Sequence, residues 1–413
     1  MKKNFLNEII ARDFFHQCTD KNKLIELMNS ASIKAYIGFD CTAPSLHVGS
    51  LLQIMCLRML QKYGHQPIVL LGGGTTLIGD PSGKDMTRKI LNSETIEENI
   101  KKIKETFTQL LNIEDKNVAP IFVDNSVWLN KLKYIDFLRN VGSHFTINKM
   151  LSFDSVKLRL EREQSLSYME FNYMILQAYD YYKLNVDYNC ELQIGGSDQW
   201  GNIINGVELI RKMNQKNSFG LTTPLITLSS GAKMGKTEQG AVWLNKDLLS
   251  PYDYWQFWRN TDDADVNRFL KYFTEIEINE LNQTIKEEKN INNLKILLAN
   301  ETTKLLHGNK SARDAENTAK ETFQGSGVGK DLPEIKISSK KIYQGINILD
   351  ILSSENIVSS KSEARRIIKN KGIKINDAVI NNDKVIINKE TFKENNFIKI
   401  SNGKKKHYII KII

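Results

Sequence analysis

Cysteine is scarce in this chain of 413 residues: Cys18, Cys41, Cys56 and Cys190 are widely scattered, with no CxxC pair. That excludes a disulfide-stapled scaffold and a thiolate zinc site, and it fits a reducing, cytoplasmic compartment. Long apolar runs are missing as well. None approaches the roughly 20 residues needed to span a bilayer, so no membrane partner is expected. No continuous apolar segment follows Met1-Lys2-Lys3-Asn4-Phe5, and Glu8 and Asp13 argue against a transit peptide. Internal repeats and low-complexity tracts are absent. What is present, 41% hydrophobic and 25% charged residues, is globular composition, at a length sufficient for two or three domains.

The charge is unevenly placed. From Lys330 to Ile413 there are 18 basic and 9 acidic residues, a net of +9, which equals the net charge of the whole chain. The rest is therefore balanced. Such asymmetry points to a polyanion, most often nucleic acid, held by an appended module; a solvated lysine-rich surface is the alternative.

Short apolar runs alternate with helical patterns through the first half. Ile33–Phe39 reads as a strand, followed by a loop with Pro44 and an amphipathic helix from about His47 to Tyr63. Pro67–Leu71 is the next strand, Thr95–Leu111 a long helix, Ile121–Val123 a strand, and a further helix begins near Val127. This alternation predicts βαβ units, a parallel sheet and a ligand at the carboxyl ends of its strands. From about Pro251 to Phe323 the pattern is helical, and Gly325-Ser326-Gly327-Val328-Gly329 reads as a flexible linker. Beyond it, Gly345–Leu352 and Ser360–Lys369 read as short helices and Ile373–Ile375, Val385–Ile387, Phe397–Ile400 and Tyr408–Ile412 as strands, with Asn402-Gly403 as a hairpin turn. Three modules result: an α/β first part, a helical stretch and, past the linker, a small basic module of short helices and strands.

Two glycine-rich stretches fail as nucleotide fingerprints. Gly72-Gly73-Gly74-Thr75-Thr76-Leu77 ends on Leu77 where a dinucleotide loop needs glycine, and Gly79-Asp80-Pro81-Ser82-Gly83-Lys84 is followed by Asp85 where a phosphate loop needs Ser or Thr. The informative signal is distributed. His47-Val48-Gly49-Ser50 opens a helix, whose free N–H groups and positive dipole end suit phosphate; a plain helix cap is the bland reading. Lys233-Met234-Gly235-Lys236-Thr237 places two lysines three apart beside a glycine, a cationic clamp for a polyphosphate leaving group or else an ordinary charged loop. Tyr173, Gln177 and Asp180 fall at i, i+4 and i+7 of a helix over 168–183, a polar stripe that fits a pocket better than a core face. Gln193-Ile194-Gly195-Gly196-Ser197-Asp198-Gln199-Trp200 reads as a strand ending in a turn, with Asp198 placed to accept from ribose hydroxyls.

Taken in order, and with Tyr36-Ile37-Gly38-Phe39-Asp40, these motifs resemble the bacterial tyrosyl-tRNA synthetases, class I enzymes, over nearly the whole length. The tail from Gly345, with Ser360–Arg366 followed by Gly372–Asn376, resembles the small RNA-binding fold that some of them share with a ribosomal protein. The resemblance implies a Rossmann-type α/β catalytic domain with a connective insertion over 1–228, a signature loop over 229–245, an all-α anticodon-arm domain over 246–324, a linker over 325–344 and a small α+β RNA-binding domain over 345–413. It implies that Tyr36 and Asp180 bond the substrate phenol, that Tyr173, Gln177 and Asp80 surround its α-amino group, and that Gln199 lies near its carboxylate. Asp198 and Gly196 would lie beside the ribose, Gly49 under the adenine, and Gly38 and Asp40 in the ATP site. Thr42 and His47 would face the γ-phosphate, and Lys84, Arg88, Lys233, Lys236 and Thr237 the departing pyrophosphate. Lys361, Arg365, Arg366, Lys369, Lys371 and Lys374 would bind RNA. Tyrosine, ATP and tRNA(Tyr) are the implied substrates and a homodimer the implied assembly. Mg²⁺ would arrive with ATP, with no dedicated metal cage and no tightly bound cofactor. Two positions depart from the family signatures: Ser50 stands for the second histidine of HIGH, and Gly235 for the serine of KMSKS. A tryptophanyl relative and an inactive RNA-binding scaffold are the rival readings.

Overall fold

The computed structural model describes residues 4–80, 91–231, 234–237, 240–323, 332–355, 357–392, 396–403 and 406–413. The chain divides into two compact units, residues 1–235, 243–245 and 262–289 in one and 236–242, 246–261 and 290–413 in the other.

The first unit is built on a six-stranded sheet in the order β1-β6-β5-β2-β3-β4, from β1 (Gln17–Cys18), β2 (Lys34–Phe39), β3 (Gln66–Leu71), β4 (Ile121–Asp124), β5 (Cys190–Gly196) and β6 (Phe219–Thr223). The last five run parallel and β1 lies antiparallel along β6. A parallel sheet is covered on both faces, so its strands are apolar throughout: Ile68, Val69, Leu70 and Leu71 of β3 are all buried. That is why β2, β3 and β4 could be read from the sequence, whereas the two-residue edge strand β1 carries no periodicity to read.

Helices α1 (Phe5–Ala11), α2 (Lys21–Ser30), α3 (Val48–Lys62), α4 (Thr75–Ile78), α5 (Ser93–Leu110) and α6 (Ser126–Leu129) precede β5, together with α7 (Tyr134–Asn140), α8 (Ile147–Leu151), α9 (Asp154–Glu161) and α10 (Tyr168–Tyr188). α11 (Trp200–Asn214) joins β5 to β6. α10 starts in a reciprocal capping box between Ser167 and Glu170 and stops at Asn189 in the left-handed region. Its Tyr181 and Leu184 pack with Tyr36, Ile68 and Cys190 against the sheet. The helix expected from Val127 is a single turn, and Asn125 before it makes no cap, its side chain accepting from the Gly74 N–H and donating to Asp180 instead.

The helical stretch after 250 is shared between the units. α13 (Asp263–Phe273) and α14 (Ile278–Glu287) belong to the first, where the buried Arg12 pairs with Glu8 at 2.7 Å and donates to the carbonyls of Lys271 and Thr274. α12 (Pro251–Arg259) and α15 (Ile291–Phe323) pack together in the second, with the Trp255 indole N–H donating to Asn300 at 2.7 Å. α15 is broken at Gly308, whose φ of 85° and ψ of 164° are not helical. The second unit also holds the two-residue strands β7 (Lys236–Thr237) and β8 (Gly240–Ala241).

The tail forms a five-stranded sheet, β12-β11-β14-β15-β9, from β9 (Glu334–Ile337), β11 (Ile373–Ile375), β12 (Ala378–Val379), β14 (Phe397–Asn402) and β15 (Lys406–Ile412). β10 (Ile346–Asn347) and β13 (Ile386–Ile387) pair separately. With α16 (Ser339–Gln344), α17 (Ile348–Ser354) and α18 (Lys361–Lys369), the sheet encloses a core that includes Ile348, Leu352, Ile368, Ile373 and Ile398. β14 and β15 pair antiparallel, but Asn402 closes the ladder opposite Lys406 and, of the pair, only Gly403, at φ +67°, lies in the connection, so the hairpin falls at the expected place without being a two-residue Asn-Gly turn. β9 and α16 lie inside the stretch read as linker, so this sheet draws on residues before Gly345. Among the described residues no helix is long and apolar enough to cross a membrane.

Candidate active site

A cavity of about 320 Å³ opens in the first unit where β2, β3 and β5 end. Its wall carries Gly38 and Asp40 from the end of β2, Gly72 after β3, Asn125 after β4, Ile194–Gly196 from β5, and Gly49, Ser50 and Gln53 from the first turns of α3. Ligands in open α/β sheets sit at this edge because loops there are free of the ladder and helix N-termini converge on it.

The stripe on α10 faces this cavity: Tyr173, Gln177 and Asp180 all line it. Asp180 sits at the floor, 2% exposed, and accepts from Trp128 Nε1 at 2.7 Å and Asn125 Nδ2 at 2.9 Å. Burial raises its pKa to about 7; the two donors oppose that shift, and Asp40 and Asp124 add to it. Tyr36 is 1% exposed, and its hydroxyl finds no hydrogen-bond partner among the described residues. Burial, and then the neighbouring Asp180, hold its phenol well above the ordinary tyrosine range. An orphaned phenol is costly unless something with a hydroxyl fills the gap, and the Asp180 carboxyl beside it, with one donor on each oxygen, has acceptor capacity left for a third.

Higher on the wall the polar groups are linked. Asp40 Oδ1 accepts from Tyr173 Oη and Thr75 Oγ1, both at 3.3 Å. Asn202 Nδ2 donates to Gln177 and Gln199, and Gln199 Nε2 donates to Asp80 at 3.0 Å. At the opposite rim, His47 caps α3 by accepting the Gly49 N–H at 3.0 Å. Residues 243–245 return beside it, Trp243 bridging to His47. A Cβ on Gly49 would come within 2.6 Å of the His47 ring and 2.9 Å of the Met234 carbonyl. Gly235 has φ +94°, and a Cβ there would meet His47 Nδ1 at 2.6 Å and the Gly49 nitrogen at 2.9 Å. The serine of the family signature would collide in this conformation.

The structure thus gathers Tyr36, Gly38, Asp40, Gly49, Ser50, Asp80, Tyr173, Gln177, Asp180, Gly196, Asp198 and Gln199 around one cavity. Thr42 and His47 are not among the residues that line it; Thr42 is exposed and His47 is turned to its own helix start. Lys84, Arg88 and Lys233 lie outside the described residues, as do the side chains of Lys236 and Thr237 in β7. In the tail, Lys361, Arg365, Arg366 and Lys369 of α18, then Lys371 and Lys374, are all exposed. Lys361 pairs with Asp350, and Arg365 with Asp383 at 3.3 Å.

Asn125, Trp128, Thr75, Asn202 and Gln53 escaped the sequence reading. Asn125 follows the end of a parallel strand, and Asn202 is three residues past Gln199 in the first turn of α11, so position held a signal for both. Gln53 stands one turn beyond Gly49, donates to Thr223 Oγ1 at 2.8 Å, and its Oε1 is buried without a partner among the described residues. Nothing local marks it.

Residues 28–324 match the family model for tRNA synthetases class I (W and Y), and residues 325–410 match that for the tyrosine–tRNA ligase SYY-like C-terminal domain. The chain belongs to the class I tRNA synthetases of this tryptophan and tyrosine group. It is 60% identical over 409 residues to a tyrosine–tRNA ligase of Pelagibacter ubique, covering 99% of each chain. With one from Rickettsia bellii it shares 51% over 411 residues, 99% of this chain and 100% of the other. A C-terminally truncated mitochondrial tyrosyl-tRNA synthetase of Aspergillus nidulans superposes with a TM-score of 0.70 at 29% identity, covering 78% of this chain and 95% of that one.

Proposed function

We propose that the chain is a tyrosine–tRNA ligase: it activates L-tyrosine with ATP to tyrosyl-adenylate and pyrophosphate, then transfers tyrosine to the 3′ end of tRNA(Tyr). The observation that carries the amino-acid assignment is the unpartnered Tyr36 hydroxyl beside Asp180 at the cavity floor. A phenolic substrate completes both groups, donating to Asp180 and satisfying Tyr36. Phenylalanine leaves the Tyr36 hydroxyl unpaired at about 1–3 kcal/mol and gives Asp180 no further donor, and the indole of tryptophan presents no oxygen there.

In activation, a tyrosine carboxylate oxygen attacks the α-phosphorus of ATP, and the bond to the β-phosphate bridging oxygen breaks. The adenylate carbonyl then takes the terminal ribose hydroxyl of the tRNA, and AMP leaves. No side chain serves as nucleophile; positioned donors and cations bind the developing charge more tightly than the ground state. Asp80, Tyr173 and Gln177 would receive the α-ammonium, Gln199 the carboxylate end, Asp198 and Gly196 the ribose, and Gly49 the flat base, with Gly38 and Asp40 completing the ATP site. Thr42, His47 and Ser50 would hold the triphosphate, and Lys84, Arg88, Lys233, Lys236 and Thr237 the pyrophosphate. Mg²⁺ enters as the counter-ion of ATP, part of the substrate.

The exposed basic residues of the tail (Lys361, Arg365, Arg366, Lys369, Lys371, Lys374) would track tRNA phosphates, and the helices after 250 the anticodon arm. A homodimer is supported by the apolar side chains exposed on α7–α10, among them Tyr134, Ile135, Ile147, Leu158 and Tyr168. We place it in the cytoplasm, in keeping with its bacterial relatives. ATP–pyrophosphate exchange tests the assignment: it should require tyrosine, and exchange supported by tryptophan and not by tyrosine would end it.

A further inference from the structure

Asn202 belongs to none of the motifs above and does not line the cavity, yet two cavity residues depend on it. It sits in α11, 5% exposed, and its single amide donates to Gln177 Oε1 and to Gln199 Oε1, each at 3.0 Å. A glutamine amide can present either its oxygen or its NH₂ to a given neighbour; here the Asn202 donor holds the oxygen of both, while the NH₂ of Gln199 is met from the other side by the carboxylates of Asp80 and Asp198, at 3.0 and 3.4 Å. With its oxygen turned to Asn202, Gln199 aims Nε2 at Asp80 Oδ2, 3.0 Å away. The chain Gln177–Asn202–Gln199–Asp80 therefore ties together α10, α11, the turn after β5 and the loop after α4.

We propose that Asn202 is a positioning residue for the amino-acid substrate, fixing the polarity of the rim that receives its α-ammonium group. This rests on the tyrosine reading above. A cation needs acceptors at that rim. Gln177 Oε1, held by Asn202 through one lone pair, has a second to offer, and Gln199 keeps its NH₂ on Asp80 instead of turning it toward the incoming charge. Settling both amides before the substrate arrives also removes an ordering cost from binding.

A residue that merely fills space between α10 and α11 would tolerate an isosteric replacement; a donor that sets polarity would not. Asn202→Asp keeps the shape and, when ionised, removes both donors. In tyrosine-dependent pyrophosphate exchange at pH 8 it should raise KM for tyrosine about tenfold or more while KM for ATP stays within twofold of wild type. Measured against wild type at each pH, the defect should shrink toward pH 6, where the new carboxyl regains a proton to donate. Asn202→Ser, with one donor, should fall between wild type and Asn202→Ala, and it serves if the aspartate variant does not fold. Asn202→Ala combined with Gln199→Ala should raise KM less than the product of the single effects, since one acts through the other. An unchanged KM for tyrosine in Asn202→Asp, an equal rise in both KM values, or multiplicative effects in the double variant would overturn the proposal. A wild-type protein that exchanges only with another amino acid would instead overturn the substrate reading.

Discussion

Asp180 carries the residue-scale argument, because its ionisation is balanced between burial and two donated hydrogen bonds. Its carboxylate form is the better acceptor for a phenol, so tyrosine should bind less tightly as pH falls through about 7. Trp128→Phe removes one of the donors that favour the ionised form. The acid limb of tyrosine binding should then move up by about one pH unit, seen in equilibrium binding at a series of pH values. An unmoved limb would mean that Asp180 does not titrate there. At this scale the sequence was legible where chemistry repeats at a helical period: Tyr173, Gln177 and Asp180 could be placed on one face before any fold was known. Asn125 and Trp128 could not, since they reach Asp180 across more than fifty residues of chain and no local pattern encodes that contact.

At the scale of elements, the start of α3 and the turn at 234–235 fit against each other only because both are glycine at the point of approach. Gly49→Ala should force the His47 ring or that turn aside. KM for ATP in the exchange assay should rise about tenfold, with KM for tyrosine little changed, because the floor of the cavity is untouched; equal effects on both would contradict this division. In the second unit, His307 lies edge-on to the Tyr254 ring at 5.2 Å, just before the break at Gly308. Burial, and then Lys246, lower its pKa to about 4. The unfolded chain therefore takes up a proton near pH 6.5 that the folded one refuses. Stability is whole above that pH and falls as pH drops toward 4, by up to about 3 kcal/mol. His307→Phe should flatten this part of the pH dependence of the unfolding midpoint followed by circular dichroism. The longer elements were legible because burial imposes a period on them. The one-turn length of α6 and the break inside α15 were not, since they answer to tertiary demands on single residues.

For the whole molecule, the division of labour foreseen from the charge distribution has a structural counterpart: exposed lysines and arginines cluster on α18 and the strand after it, on a small sheet with its own core. Ending the chain at Phe323 should leave tyrosine activation within about twofold and weaken tRNA charging. The lost tRNA affinity should be the part that declines steeply with salt, as lysine–phosphate contacts displace counterions. Unimpaired charging by the shortened protein would contradict that. The general plan was thus readable from composition and motif order. Assignment of α13 and α14 to the first unit was not, because it is settled by contacts such as Arg12 with the Lys271 and Thr274 carbonyls, remote in sequence.

The parallel pairing of β9 with β15 has a further consequence. The tail module enters and leaves along neighbouring strands, Ile335 standing opposite Ile410. Because the two strands run the same way, the chain comes in at one tip of the pair and goes out at the other, Glu334 lying beside Ile409 and Ile412 beside Ile337. Such a piece is threaded like a bead on a string: it can follow another catalytic body in line, whereas setting it inside one would need a connection running back along the strand.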